Sequence, residues 1–396
     1  MSALVTTWAA VVALVGATVH PGDGPALEGA TVVIDGERVT AVGVGLTPPA
    51  GATVIDVQGK VITPGLIDAW TGLGAAEIWG VPESVDLDAG GDDPVRAAFR
   101  VVDALNPRSP TLAIQRAHGV TAVVSAPGGG LIAGQAAAID LNGRVLRPSV
   151  AMAARFGGGE HASRGEALLR LRELLDDTRT YAAKKRDFEG ARLRRLAASR
   201  LDLEALLPVV RGELPLAVDV HRAADIEALL RFASEQQVKL IVVGGTEAWL
   251  VADALAAAKV PVVLDPSANL PGDFDRIHAR ADAAAKLAAA GVPIALSTFS
   301  THNVRKLRQW AGNAVRAGLP HADALRAVTT TPATLAGLTD RGRVAPGQVA
   351  DLVVWSGDPF ELSTRAEQVW IGGAQAPEGH RQRALFERYR TVPPPY

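Results

Sequence analysis

The stretch Val61-Ile-Thr-Pro-Gly-Leu-Ile-Asp-Ala-Trp-Thr-Gly-Leu-Gly74 decides the fold. A β-branched run meets a Pro-Gly, continues as an apolar strand, and presents Asp68 and Trp70 ahead of a glycine-rich turn. Apolar strands of this kind are buried by parallel neighbours, and in a barrel their C-terminal ends deliver side chains to the mouth. Upstream, residues 12–56 are short β-rich runs broken by turns, with Asp35-Gly36 as a hairpin signal. Similar β-rich runs recur far downstream, at 342–359 and 368–373. A sheet assembled from both chain ends is therefore expected beside whatever lies between them.

Between those ends, apolar runs alternate with helical segments, the pattern of an α/β fold with parallel strands. The length of this middle suits a (β/α)8 barrel. Strands are expected at 61–67, 120–125, 136–141, 150–154, 216–220, 240–243, 262–265 and 294–298. Amphipathic helices are expected at 246–258, 282–290 and 321–328. Residues 75–94 form an acidic insertion carrying Glu77, Glu83, Asp86, Asp88, Asp92 and Asp93, placed to lie over the barrel mouth as a loop or lid. Residues 163–200 are densely charged and read as a solvated helix pair on the barrel exterior.

Composition narrows the chemistry. With 396 residues, 48% of them apolar and 21% charged, the chain can bury a large core. A formal net charge of -2 gives no reason to expect nucleic acid or an acidic membrane as partner. The absence of cysteine excludes thiol catalysis, disulfides and thiolate-bound zinc. No apolar run reaches the roughly 18 residues of a membrane span. The first 19 residues are apolar but contain no Lys or Arg, so residues 8–15 read as an opening strand, with a signal-peptide remnant as the alternative. The cytoplasm is the default compartment and the periplasm stays open.

The opening stretch resembles the amidohydrolase superfamily signature, Pro-Gly-Leu/Phe-Ile-Asp-x-His-x-His-x-Gly. The closing run Gly342-Arg-Val-Ala-Pro-Gly-Gln-Val-Ala-Asp-Leu-Val-Val354 resembles that family's Gly-x-Val-x-Pro-Gly-x-x-Ala-Asp-Leu-Val-Val motif. With Ala104-Leu-Asn-Pro107, Gly119-Val-Thr-Ala-Val-Val124 and Gly134-Gln135, the likeness covers nearly the whole chain and points to the imidazolonepropionase-like and prolidase-like branch. The resemblance implies a (β/α)8 TIM-type barrel over 64–342, a β-sandwich built from residues 1–63 plus 343–378, and a tail at 379–396. It also implies hydrolysis of C–N bonds by water activated on zinc or another divalent metal. In the family, histidines on strand 1, histidines after strands 5 and 6, and an aspartate after strand 8 hold that metal.

Position by position, those ligands are replaced. The strand 1 histidines correspond to Trp70 and Gly72. After strand 5, Leu216-Ala-Val-Asp-Val-His-Arg-Ala-Ala-Asp-Ile226 puts Asp219 at the ligand position and keeps His221. After strand 6, Val243-Gly-Gly-Thr-Glu-Ala-Trp249 puts Gly244 at the ligand and Trp249 at a later histidine. After strand 8, Leu296-Ser-Thr-Phe-Ser300 puts Phe299 at the catalytic aspartate. Trp, Gly and Phe offer no donor to a metal, and fewer than three donors seldom retain one.

The vacated pocket is thus expected to comprise Asp68, Trp70, Gly72, Asp219, His221, Gly244, Glu247, Trp249 and Phe299. Trp70 and Phe299 are expected to plug it, Asp68 to stabilise a turn through its backbone, and Glu247 to cap the helix that follows it. No metal or other cofactor is expected. The leading functional reading is a metal-free, non-catalytic homologue acting as a binding or assembly subunit, in a homo- or hetero-oligomer with an amidohydrolase paralogue. One alternative is a hydrolase with a site rebuilt around Asp219, His221 and His302. Another is a protein that binds an apolar small molecule.

Overall fold

A computed structural model describes residues 11–157 and 163–391. The start of the expected opening strand at Trp8, the loop residue His161 and the last residues of the tail lie outside the described residues.

The strands from the two chain ends form one hydrogen-bonded sheet. Its N-terminal members are β1 (Val12–Val19), β2 (Leu27–Asp35), β3 (Arg38–Val44), β4 (Thr53–Asp56) and β5 (Val61–Pro64). The barrel follows, with β6 (Leu66–Thr71), β7 (Val120–Ser125), β8 (Ile132–Asp140) and β9 (Val145–Arg155). It continues with β10 (Leu216–Val220), β11 (Leu240–Gly244), β12 (Val262–Leu264) and β13 (Ile294–Leu296). Then β14 (Leu352–Trp355), β15 (Ala366–Ile371) and β16 (Ala374–Gln375) rejoin the first sheet. Its order is β16-β15-β14-β5-β1-β2-β3, with β4 also paired to β1. The expected pair of facing sheets is corrected to this single sheet, because β14 inserts directly between β5 and β15 and makes the two ends continuous. Leu14, Val32, Ile34, Ile62, Leu352 and Val354 make its own core.

Among the described residues, ten α-helices clothe the barrel. They are α1 (Pro110–Arg116), α2 (Arg164–Ala183), α3 (Lys185–Glu189), α4 (Arg200–Val210), α5 (Ala223–Gln236), α6 (Ala252–Ala257), α7 (Ala283–Ala289), α8 (Leu307–Arg316), α9 (His321–Ala327) and α10 (Thr330–Leu335); α11 (Arg381–Tyr389) ends the described chain. The long α2 turns Ala167, Leu171, Leu174, Leu175 and Tyr181 inward and most of its charges outward, with Asp177 buried and paired to Arg194. No described helix is long and apolar enough to cross a membrane.

The barrel sheet has eight strands, ordered β6 to β13, and every expected strand overlaps one of them. The expectation of an all-parallel barrel is corrected: β8 runs antiparallel to both β7 and β9. The reason is chain length. Parallel neighbours need a crossover of a dozen or so residues. Only residues 126–131 and 141–144 join these strands, the second through a tight turn at Asn142-Gly143.

The ladder stays open between β13 and β6. Side chains close that gap: Asp68 on β6 accepts from Ser297 Oγ at 2.5 Å and from Thr298 Oγ1 at 2.6 Å, just beyond β13. On the other side of β6, the Ile67 amide donates to the Val328 carbonyl. Inside the barrel, small side chains including Ala69, Ala151, Ala217 and Ala295 face one another with Ile241, Val243 and Val263. The partly buried Trp70 ring packs against this cluster and against the neighbouring one around Ile67 and Val124.

Candidate functional site

The C-terminal ends of the barrel strands bring together part of the expected pocket and exclude the rest. Asp219, near the end of β10, sits with its Oδ1 3.2 Å from His221 Nε2 and its Oδ2 3.7 Å from Arg155 Nε. Arg276 Nη2 lies 2.8 Å from the same His221 Nε2, and His221 Nδ1 lies 2.8 Å from Thr246 Oγ1. Asp219, His221, Arg155 and Arg276, with Arg164, Phe274 and Asp275, line an open cavity of about 400 Å³. Burial opposes ionisation of Asp219, but the hydrogen bond and charge of His221 and the charges of Arg155 and Arg276 outweigh it. The carboxyl is held below its usual range. Arg222, its neighbour in sequence, is instead the residue before α5.

Gly244 explains where His221 went. A Cβ at position 244 would overlap His221 Cε1 and come within 2.9 Å of Nδ1, and the backbone there has φ +86°. The imidazole therefore occupies the space a side chain at 244 would need. Gly72 is closed in a different way. A Cβ there would lie 2.5 Å from Leu87 Cδ1, because the acidic insertion folds down and seats Leu87 over the glycine. The insertion is pinned as a cover by the Gly128 amide on the Leu87 carbonyl and by Trp79 Nε1 on Thr301 Oγ1 at 3.1 Å.

Several expected members lie elsewhere. Trp249 is outside the barrel wall, with Nε1 on the His278 carbonyl and Arg280 stacked 4.5 Å from its ring centroid. It follows a turn that carries the chain away from the lumen. Phe299 is not a plug: it is 37% exposed and holds φ +49°, a left-handed backbone that swings its ring toward solvent. Glu247 does not cap the segment after it. It is buried and accepts from the Ala223 amide at the start of α5 and from the His278 amide, tying two mouth loops together. His302 does not join Asp219 and His221. Its Nδ1 pairs with Thr301 Oγ1, and its carbonyl accepts from Gln115 and Arg305. Asp68 reaches backbone amides, as expected for Trp70 and also at Thr298, but its strongest partners are hydroxyls across the barrel gap.

Arg155, Arg164 and Arg276 were not singled out in the sequence. A signal existed: Arg155 ends a barrel strand, and Gly272-Asp-Phe-Asp-Arg276 lies in the loop that follows another. In a barrel those are site positions.

The divalent ion implied by the resemblance does not fit this donor set. Among the described residues no three His, Asp or Glu side chains converge in a way that could hold a metal. Asp219, the one carboxylate at an expected ligand position, is already paired with His221 and Arg155, and Arg276 adds a further positive charge nearby. A metal would have to displace these cations.

Comparison with known proteins places the chain. A family model described as the amidohydrolase family matches residues 288–376. Amidohydrolase tasK of Hapsidospora irregularis is 25% identical over 374 residues; the match covers 82% of this chain but 37% of that protein's length. Imidazolonepropionase of Anaeromyxobacter dehalogenans is 28% identical, over 87% of this chain and 88% of its own. The crystal structure of an amidohydrolase from Thermotoga maritima superposes with a TM-score of 0.83 at 28% identity, covering 93% of this chain and all of that one. Together these matches support the amidohydrolase superfamily, in its imidazolonepropionase-like branch, as the family of this chain.

Proposed function

We propose that this chain is a metal-free member of its family that does not hydrolyse C–N bonds and serves as a binding or assembly subunit. The observation that carries the reading is Arg276 lying against His221 beside Asp219, with the imidazole filling the space over Gly244. A guanidinium in that position supplies positive charge but cannot lower the pKa of a bound water as a metal does. Phe274, Leu270 and Trp79, on loops around the mouth, are 88%, 76% and 59% exposed, which suits contact with another protein. The partner is a second copy of this chain or a paralogue from the same family. The terminal sheet and the eight-stranded barrel sheet are the frame on which such a contact would be built.

A second reading, a metal-free hydrolase, draws on the Asp219–His221 pair in an open cavity. Against it, both ring nitrogens are already engaged, one by Thr246 and the other between Arg276 and Asp219.

The test uses untagged protein, dialysed and assayed for zinc, manganese and iron, then for hydrolysis of cyclic ureides and simple amides, with its mass in solution measured by light scattering. Well under one equivalent of metal, no turnover, and a dimer or a complex with a paralogue are expected. A stoichiometric ion would overturn the reading. Turnover lost in both His221→Ala and Asp219→Ala would favour the rebuilt enzyme.

A further inference from the structure

Away from the barrel mouth, a cavity of about 730 Å³ lies where the C-terminal end of α1, the helix α8, the chain around β15 and the start of α11 meet. We propose that this cavity binds a small molecule through an oxyanion group, a phosphate or a carboxylate, held by Arg116, Arg308, Arg365 and Arg383. The proposal is independent of what the barrel mouth does.

The charge balance carries it. Four guanidinium groups line the cavity against two carboxylates, Glu367 and Glu378. Glu367 is taken by Lys60 at 2.9 Å and Glu378 by Arg383 at 3.4 Å. Arg116, Arg308 and Arg365 have no carboxylate within ion-pair distance among the described residues. Arg308 is only 8% exposed. Its neutral partners, the carbonyls of Pro359 and Glu361 at 3.0 and 2.7 Å, fix the guanidinium in place without cancelling its charge. Arg116 is similar: Nη1 donates to the Leu141 carbonyl and Asn142 Oδ1, while Nε is buried without an acceptor.

Burying a guanidinium without a counter-ion is costly, and a chain needing only a loop staple can obtain one from a neutral amide. Planar guanidinium forks held rigid around a cavity are instead suited to the paired oxygens of phosphate and carboxylate. The two histidines in the same cavity respond to its positive potential. Burial, then the charges of Arg305, Arg308 and His380, press His118 below its ordinary pKa; burial and Arg383 do the same to His380.

The test is thermal unfolding of the full chain in sodium phosphate, sodium citrate or sodium chloride, at one fixed ionic strength. Arg365→Gln/Arg383→Gln serves as the comparison, because both side chains are exposed and the variant keeps the buried Arg308 and the half-buried Arg116 that shape the cavity. Phosphate or citrate should raise the midpoint saturably where chloride does not, and the double variant should weaken the apparent Kd at least tenfold. Tighter saturation by phosphate would identify phosphate esters as the ligand class, and by citrate, carboxylates. A shift that chloride reproduces, a shift the double variant retains, or no saturable shift would overturn the proposal.

Discussion

Asp68 shows how a residue of the opening stretch is held by its own hydrogen bonds. It is fully buried and receives hydrogen bonds from Ser297 Oγ, the Thr298 amide and hydroxyl, and, at 3.4 Å, the Trp70 amide. Burial, only partly offset by those bonds, raises its pKa from 3.8 to about 6. The folded protein therefore holds this proton up to about pH 6, whereas the unfolded chain releases it near its ordinary value. Across that window the folded state binds more protons, so this group's contribution to stability is present below about pH 4 and lost as pH rises to about 6. The loss is up to about 3 kcal/mol. Urea unfolding at pH 4 to 8 should show this slope, and Asp68→Asn should flatten it; a slope identical in both proteins would assign it to other groups. The aromatic residues separate as sharply. Trp70 is partly buried against two apolar clusters of the barrel, so Trp70→Ala should cost about 2 kcal/mol or more. Phe299 is part-exposed in a left-handed backbone, so Phe299→Ala should cost under about 1 kcal/mol. Equal losses in chemical denaturation would mean that Phe299 packs in solution as a plug.

At the scale of elements, apolar runs bounded by turns made the eight barrel strands readable, because each is buried on both faces. Direction was less readable, since a buried antiparallel strand such as β8 carries the same apolar pattern as a parallel one. Only the short linkers and Asn142-Gly143 distinguish it. The replaced residues of the motifs could be read one by one, but their consequences depend on contacts between distant segments. Residues 75–94 read as a lid; that Leu87 of this lid fills the space over Gly72 is a matter of packing alone. It follows that a larger side chain cannot simply be placed at position 72. Gly72→His should destabilise by about 1–3 kcal/mol through overpacking. In the background of Leu87→Ala the same change should cost at least about 1 kcal/mol less. Additive losses in a double-mutant cycle would show that Leu87 does not occupy that space.

For the whole molecule, the two chain ends and the barrel are joined at Trp355. This residue belongs to the terminal sheet through β14, yet it is fully buried within the core that the barrel shares with its helices. Its Nε1 donates to Thr63 Oγ1 at 2.9 Å, and its ring lies where a side chain at Gly119 would have to be. Beside it, Asp351 pairs with the buried Arg341 and accepts from the Gly372 amide at 2.7 Å. Asp351 falls in the closing motif and Trp355 follows it directly, so the part of the sequence that points to the fold also locks it together. A shared core of this kind couples the sheet and barrel into one cooperative unit. Calorimetry should then show a single transition. Trp355→Ala, by deleting a buried aromatic and the donor to the Thr63 hydroxyl oxygen, should cost about 3–5 kcal/mol. For a chain of 396 residues the unfolding entropy is of order 0.8 kcal/mol/K, so the midpoint should fall by roughly 5 °C with the transition still single. Two resolved transitions, only one of them moved by Trp355→Ala, would show instead that the terminal sheet and the barrel unfold independently.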